Sequence, residues 1–267
     1  MADMTTLGVI FPPDQPPEAL RPVATAADEA GLEQLWLWED CFFESGIAAA
    51  AAVLGWTERL AVGIGLLPVP LRNVALTAME LATLERLFPG RVVPGVGHGV
   101  LDWMAQVGAR VESPMTLLRE YTTALRALLH GEQVTTSGRY VHLDAVKLDW
   151  PPSPPPPLLV GAVKPKTLQL ATELGDGVIL TGSTRPEDLA AAAGPLDAGR
   201  AISGRQGDVV VFVTVPDRQP PTAIAERVRE YAGAGATHVA LHAVGDDPHP
   251  LPDFVRLVAT EVRAALS

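Results

Sequence analysis

Short apolar segments alternate with longer stretches of helical periodicity along the whole chain. The segments are continuously apolar rather than alternating, which is typical of strands buried on both faces of a parallel sheet. Their regular exchange with helices predicts a parallel β/α architecture. The eight predicted strands are Leu7 to Phe11, Leu35 to Trp38, Leu60 to Leu67, Arg91 to Gly97, Leu158 to Gly161, Val178 to Thr181, Val209 to Val215 and His238 to Ala243.

Helical patterns occupy the intervals between these segments. Gly31, Gly131 and Gly175 follow three of them, and Pro89-Gly90 follows a fourth, where a helix commonly ends. We therefore expect residues 1–267 to form one α/β domain, a (β/α)8 or TIM barrel. The predicted helices are Glu18 to Ala30, Ser45 to Leu54, Ala75 to Leu87, Met115 to Leu129, Thr167 to Leu174, Pro186 to Gly199, Ala223 to Ala232 and Phe254 to Ala265.

The longest interval between predicted barrel strands runs over about residues 100–157. It holds a helix, a predicted hairpin over Gln133 to Asp149 that turns at Ser137-Gly138, and a run of prolines. Long insertions at the end of a barrel strand usually shape the active-site mouth. We expect this insertion to determine which substrate the protein accepts.

Composition excludes several classes of protein. Lys and Arg number 20 against 31 Asp and Glu, a net charge of -11 without a basic cluster, so nucleic acid is not an expected partner. Cys41 is the single cysteine, which excludes an internal disulfide and fits a reducing compartment. No stretch has the length of a membrane span, and the first residues lack the features of a secretion signal. A soluble, cytoplasmic protein is predicted.

Two adjacent carboxylates, Glu39 and Asp40, follow the second predicted strand. Catalytic groups of β/α barrels stand at such carboxyl-terminal strand ends, and crowding of two carboxylates is expected to raise the pKa of at least one of them. Both residues are therefore candidate catalytic groups, with Glu39 the stronger candidate. The alternative is that they cap the next helix or pair with an arginine.

A glycine-rich loop follows the fourth predicted strand. Gly97 and Gly99 flank His98, and glycines at such positions allow a planar ligand to approach the backbone. His98 is a candidate hydrogen-bond donor or acid, with a purely structural role as the alternative. Trp103, a little further along the loop, is a candidate wall of the substrate pocket.

The loops after the fifth and sixth predicted strands contain small residues and lysines. Gly161 to Thr167 includes Lys164 and Lys166, and Thr181 to Thr184 includes Gly182 and Ser183. Backbone N–H groups at a helix start can bind an anion, although ordinary barrel loops use the same residue types. Only His238 and His242 have the spacing of metal ligands, and a strand would hold them roughly 13 Å apart, too far to share an ion, so we predict no metal.

Four segments together resemble the luciferase-like flavin-dependent oxidoreductases, the bacterial luciferase-like monooxygenase superfamily, and more particularly its branch that uses the deazaflavin F420. The resemblance spans essentially the whole chain. It is carried by LWLWED, ERLAVGIGLLPVPLRN, ELATLERLFPGRVVPGVGHG and LLVGAVKPKTLQLATELGDGVIL.

The resemblance implies roles for particular residues of this chain. It implies that the cofactor ring lies in the barrel mouth, in contact with Glu39, and that a bulged, often cis, peptide after the third strand supports the ring face. The remaining roles are backbone contacts to the ring, side chain or phosphate. The implied cofactor-binding residues are Glu39, Gly63, Ile64, Gly65, Gly97, His98, Gly99, Gly161, Ala162, Val163, Gly182 and Ser183.

Two positions depart from the pattern of the sugar-phosphate dehydrogenases in this family. Asp40 stands where they have a histidine, and Val100 stands where they have a glutamate. Their acid–base scheme is therefore not expected here.

The resulting hypothesis is an F420-dependent oxidoreductase that transfers a hydride to or from a small organic substrate. In it Glu39 contacts the ring, Asp40 or His98 relays a proton, and Trp103 lines the substrate side. The alternatives are an FMN-dependent monooxygenase, a cofactor-binding barrel without turnover, and a phosphate-binding lyase or isomerase barrel. Relatives in the family commonly pair, so a homodimer is expected.

Overall fold

The computed structural model describes residues 5–181, 183–216 and 218–267. Within these ranges eight parallel strands close into a barrel in the order β1-β10-β9-β8-β7-β4-β3-β2, and the other two strands form a hairpin. The predicted (β/α)8 fold is thereby confirmed. The strands are β1 (Thr6–Phe11), β2 (Gln34–Leu37), β3 (Ala61–Pro68), β4 (Val92–Gly97), β5 (Val134–Ser137), β6 (His142–Val146), β7 (Leu159–Gly161), β8 (Gly177–Leu180), β9 (Asp208–Val215) and β10 (His238–Ala243).

Helices pack around the outside of the barrel. No helix in the described ranges is both long enough and apolar enough to cross a bilayer. Short 3-10 turns occur at Pro17–Ala19 and Val69–Leu71, and wider π-type turns at Val258–Val262. The α-helices are α1 (Leu20–Ala30), α2 (Gly46–Trp56), α3 (Val74–Leu87), α4 (Leu101–Gln106), α5 (Pro114–Leu129), α6 (Pro165–Leu174), α7 (Pro186–Ser203), α8 (Pro221–Gly233), α9 (Leu251–Leu257) and α10 (Arg263–Leu266).

One predicted helix end is wrong. The helix predicted to stop at Gly199 continues to Ser203, and Gly204 ends it in the left-handed conformation at φ 71°. A Cβ on Gly199 would lie 2.2 Å from the Gln169 carbonyl oxygen, so this glycine permits close packing of α7 on α6. The short helix α4 was also not expected as a separate element.

The barrel interior is filled below the level of the active-site end. Trp36 of β2 occupies the centre, and its Nε1 donates a hydrogen bond to Gln34 Oε1 at 3.1 Å. A Cβ on Gly63 would lie 2.3 Å from the Trp36 ring, so the indole fits only because that position is a glycine. The other buried members of this inner cluster are Ile10, Leu159, Ile179, Val210, Phe212 and Ala240.

The insertion between β4 and β7 docks through one carboxylate. Glu120 of α5 accepts hydrogen bonds from the backbone N–H groups of Arg139, Tyr140 and Val141 at 2.8, 2.8 and 3.1 Å. These residues connect β5 to β6, which pair in the antiparallel manner that the sequence predicted. The hairpin is thereby fixed on the helix that begins at the barrel mouth.

Candidate active site

A cavity of about 750 Å³ opens at the carboxyl-terminal end of the barrel, where enzymes of this fold keep their active sites. Its volume is within the range of small-molecule sites, roughly 300–1,000 Å³. Strand ends form the floor, which includes Trp38, Leu66, Ile179 and Phe212. Residues of α4, α5 and the loop before α4 form one wall, which includes Val100, Leu101, Trp103, Pro114 and Met115.

The third strand carries an irregularity beside the cavity. Its register against β4 shifts between Ile64 and Leu67, and the Gly65–Leu66 peptide bond is cis, as the resemblance implied for this segment. The Leu66 side chain covers two glycines of neighbouring strands, because a Cβ on Gly97 or Gly161 would lie 2.6 or 2.4 Å from Leu66 Cδ1. The space beside these glycines therefore holds a protein side chain rather than free room for a ligand ring.

Glu39 lies in the cavity lining but is held from behind. Its Oε2 accepts a hydrogen bond from the Gly46 N–H at 2.7 Å, at the start of α2, and lies 2.8 Å from the Arg72 guanidinium. Arg72 also contacts Glu80 of α3 at 3.1 Å. For Glu39 the structure thus has both features of the alternative interpretation, a helix cap and an arginine pair.

Asp40 differs from its neighbour in its surroundings. Burial raises the pKa of the Asp40 carboxyl, and no hydrogen bond or ion pair to its side chain is found within residues 5–181, 183–216 and 218–267. A raised carboxylate pKa was predicted for this pair from the crowding of two carboxylates, but the cause of the raised Asp40 pKa is loss of water. Asp40 lines the cavity and is the carboxyl best suited to exchange a proton there.

His98 and Trp103 lie on the insertion side of the cavity. Burial lowers the pKa of His98, with the Pro114 carbonyl opposing the shift, so the ring is held neutral near pH 7. His98 Nδ1 is buried, and it has no hydrogen-bond partner among the described residues. A neutral imidazole can either donate or accept at this atom, depending on its tautomer.

The amino-terminal end of α6 borders the opposite part of the cavity. Lys164 stands at the N-cap position, Pro165 opens the helix, and Thr167 lies in its first turn. Lys164, Thr167 and Thr181 line the cavity together with Gly161, Ala162 and Val163. Pro165 has no N–H, and the Thr167 N–H donates to the Lys164 carbonyl at 2.9 Å, so the groups of this turn that favour an anion are the Lys166 backbone N–H and the Lys164 ammonium.

Some predicted site residues do not line the cavity. Gly63 lies beneath it against Trp36, and Ile64 is buried in the packing between strands and helices. Gly97 lies under Leu66, and the Ser183 hydroxyl oxygen lies 3.4 Å from that of Thr181 in the same loop. Gly182 lies outside the described residues. The structure brings together Glu39, Asp40, Gly65, His98, Gly99, Trp103, Gly161, Ala162 and Val163.

Sequence reasoning missed four floor residues. Trp38, Phe212 and Ile179 were predicted only as residues of barrel strands. Phe212 lies two positions after the inward-facing Val210, so the period of two along β9 was a usable signal. Leu66 offered no such signal, because the register shift in β3 changes which side chains face inward.

Curated proteins similar to this chain in sequence include reductases and dehydrogenases. It is 28% identical over 261 residues to a 5,10-methylenetetrahydromethanopterin reductase of Methanolobus tindarius, covering 95% of this chain and 79% of the relative. It is 28% identical over 250 residues to an F420-dependent glucose-6-phosphate dehydrogenase of Nocardia farcinica, covering 86% and 74% respectively.

Solved structures share the fold at lower identity. The coenzyme F420 dependent tetrahydromethanopterin reductase of Methanopyrus kandleri superposes with a TM-score of 0.85 at 19% identity, over 98% of this chain and 99% of that chain. An F420-dependent secondary alcohol dehydrogenase in complex with an F420-acetone adduct gives 0.86 at 19% identity, with the same coverage. The sequence model described as "Luciferase-like monooxygenase" matches residues 3–251. The chain therefore belongs to the luciferase-like monooxygenase family.

Proposed function

We propose that this protein is an oxidoreductase that binds the deazaflavin F420 in the cavity and transfers a hydride to or from a small organic substrate. One sequence relative described above is an F420-dependent glucose-6-phosphate dehydrogenase, another is a 5,10-methylenetetrahydromethanopterin reductase, and a solved structure of the same fold is a coenzyme F420 dependent tetrahydromethanopterin reductase. The observation that carries the proposal is the position of the cavity at the strand ends, with an apolar floor, an anion-favouring edge and a proton-exchanging carboxyl around one space.

The residues present fit a planar heterocycle. Leu66 forms an apolar shelf at the bulge of β3, and Gly65 and Gly161 beside it add no side chain to the lining. His98 Nδ1 is buried without a partner in the described part of the chain, so a polar atom of a bound ring could satisfy it. An apolar shelf with a few oriented polar atoms is typical of cofactor sites.

The edge at α6 fits the anionic part of the cofactor. Lys164 and the backbone N–H of Lys166 would hold a phosphate there, with the Thr167 hydroxyl nearby. The helix α6 follows β7, which is the fifth strand of the barrel in chain order. The usual phosphate site of such barrels instead lies after the seventh and eighth barrel strands.

The chain's own contribution to the reaction is orientation and proton exchange. When bound, F420 supplies the hydride chemistry. Asp40, which lacks a charged partner in the described ranges, would give or take the proton that accompanies hydride transfer, and His98 would bind a polar ligand atom. Glu39 would act through position, because Arg72 and the Gly46 N–H already engage its carboxylate. Trp103 and its apolar neighbours would exclude water from the substrate side.

Binding titrations with F420, FMN and riboflavin test the proposal. We expect F420 to bind more tightly than FMN; tight binding of FMN alone would instead support a monooxygenase that uses FMN. Failure of all three to bind would contradict the proposal. Binding of F420 without any substrate-dependent change in its absorbance would support a barrel that does not turn over.

A matched pair of lysine variants tests the phosphate position. Lys164→Ala should weaken FMN binding about tenfold, equal to about 1.4 kcal/mol, while riboflavin, which lacks the phosphate, should bind as before. Lys166 does not line the cavity, so Lys166→Ala is the control. Equal losses for FMN and riboflavin would contradict the assignment of the phosphate to this edge.

Three further features stay predictions. A homodimer, a cytoplasmic location and the absence of a nucleic-acid partner were expected from the sequence. Light scattering coupled to size exclusion gives the oligomeric state directly, and a mass of one chain, 28.2 kDa, would contradict the homodimer.

A further inference from the structure

Two tryptophans in and just after β2 differ in whether the indole N–H has a hydrogen-bond partner among the described residues. Trp36 Nε1 donates to Gln34 Oε1 at 3.1 Å, inside the barrel. Trp38, two residues later and therefore on the same side, lines the cavity. Trp38 Nε1 is buried, and no residue of the described ranges accepts a hydrogen bond from it.

Aromatic neighbours fix the Trp38 ring in place. His242 packs edge-on against it with centroids 5.1 Å apart and planes at 79°. Phe212 lies on another side, at 5.6 Å and 36°. The indole is therefore constrained by contacts with β9 and β10, which limits its ability to turn toward another partner.

A buried donor without a partner has lost its hydrogen bond to water without gaining another, which is unfavourable. The indole N–H can only donate, so the partner that satisfies it must be an acceptor. His98 Nδ1 is less informative, because it can take either role. A carbonyl oxygen, which is present both on redox cofactor rings and on small carbonyl substrates, can accept this hydrogen bond.

We propose that the Trp38 indole N–H is a ligand-binding donor, which hydrogen-bonds a carbonyl oxygen of the molecule in the cavity. The inference rests on the proposed function, since the carbonyl belongs either to the F420 ring or to the organic substrate. In either case Trp38 adds a specific polar contact to an otherwise apolar floor and fixes the orientation of the molecule above it.

Proton–nitrogen NMR of the indole groups tests this inference on the wild-type protein. The chain has five tryptophans, and Trp38→Phe assigns the Trp38 signal by its disappearance. We expect that signal to move downfield and to exchange more slowly with solvent when F420 is added, if the ring supplies the carbonyl. If the substrate supplies it, the change should appear only when a probe ketone, cyclohexanone, is added to the F420 complex.

Affinity measurements give the second readout. Trp38→Phe keeps an aromatic ring but removes the donor. For the molecule that shifts the indole signal we expect the dissociation constant to rise five- to tenfold, which is a loss of about 1–1.4 kcal/mol of binding free energy. Trp150→Phe is the control, because Trp150 is exposed and lies away from the cavity. If the wild type binds F420 while the Trp38 signal stays unchanged with F420 and with cyclohexanone, the inference is overturned although the proposed function stands. If the wild type binds neither F420 nor FMN, the proposed function fails as well.

Discussion

Replacing Arg72 with methionine would remove the cation that holds Glu39 in the cavity wall. The Arg72 side chain is 15% exposed and that of Glu39 is 10% exposed, so the pair is largely shielded from water. Arg72 donates from Nε to Glu39 Oε1 at 3.3 Å and from NH2 to Oε2 at 2.8 Å. Methionine preserves much of the apolar volume of the side chain and removes both hydrogen bonds.

Removing one partner of a buried ion pair costs about 3–5 kcal/mol, because the other charge is left without compensation. The lower end applies here, since Glu39 keeps the hydrogen bond from the Gly46 N–H at 2.7 Å. At roughly 2–4 °C per kcal/mol for large domains, a loss of about 3 kcal/mol lowers Tm by roughly 6–12 °C. F420 binding should weaken too, because Glu39 lines the cavity.

Urea unfolding of four proteins measures the effect: the wild type, Arg72→Met, Glu39→Gln and the double variant. The double variant removes both charges, so the cycle should give a coupling free energy of about 2–3 kcal/mol. Arg256→Met is the control, because the Arg256–Asp253 pair is 53% and 67% exposed and should change stability by at most about 1 kcal/mol. Additive effects of the two substitutions would refute the assignment of Glu39 as a residue held by Arg72.

Three further substitutions test separate parts of the structure. Gly161→Ala should push Leu66 into the cavity, lower the free energy of unfolding by about 1–3 kcal/mol and weaken cofactor binding, whereas Gly55→Ala, in an open helical position, should be neutral or stabilising. Equal effects of the two substitutions in calorimetry and titration would contradict the packing of Leu66 on Gly161. Burial raises the pKa of Asp40, so ionisation of this carboxyl destabilises the folded protein as pH rises above the ordinary Asp pKa of about 4. Asp40→Asn should therefore gain stability relative to the wild type as the pH of urea unfolding is raised from that value, and a difference that does not change with pH would oppose this. Glu120→Ala removes three hydrogen bonds to the hairpin turn, so hydrogen exchange of residues 139–141 should accelerate markedly; unchanged protection would show that the carboxylate does not hold the turn.

The barrel could be predicted from the sequence because each strand is a continuous apolar run, and that pattern depends only on local residues. The position of Asp40 at the cavity was predictable for the same reason, since it lies in the loop at the carboxyl end of β2. The partner of Glu39 was not predictable. Arg72 lies 33 residues further along the chain, and only the closure of β2 on β3 brings the two together.

The glycine-rich segments show where linear reasoning fails. The same pattern that suggests room for a ligand places Gly63 under Trp36 and Gly97 under Leu66. Which side chain fills the space over a glycine depends on the register shift in β3, and no spacing in the sequence encodes that shift. Residue types therefore located the site, while the contacts within it needed the three-dimensional structure.

We expect a planar redox cofactor to bind over Leu66 in the cavity at the carboxyl ends of the strands. A crystal structure of the protein soaked with F420 would show whether it does. The expected result is density for the ring between the Leu66 shelf and the wall that contains Trp103, with the phosphate near Lys164. Density for F420 outside this cavity would contradict this expectation, and so would a cavity that is filled by side chains while F420 binds elsewhere.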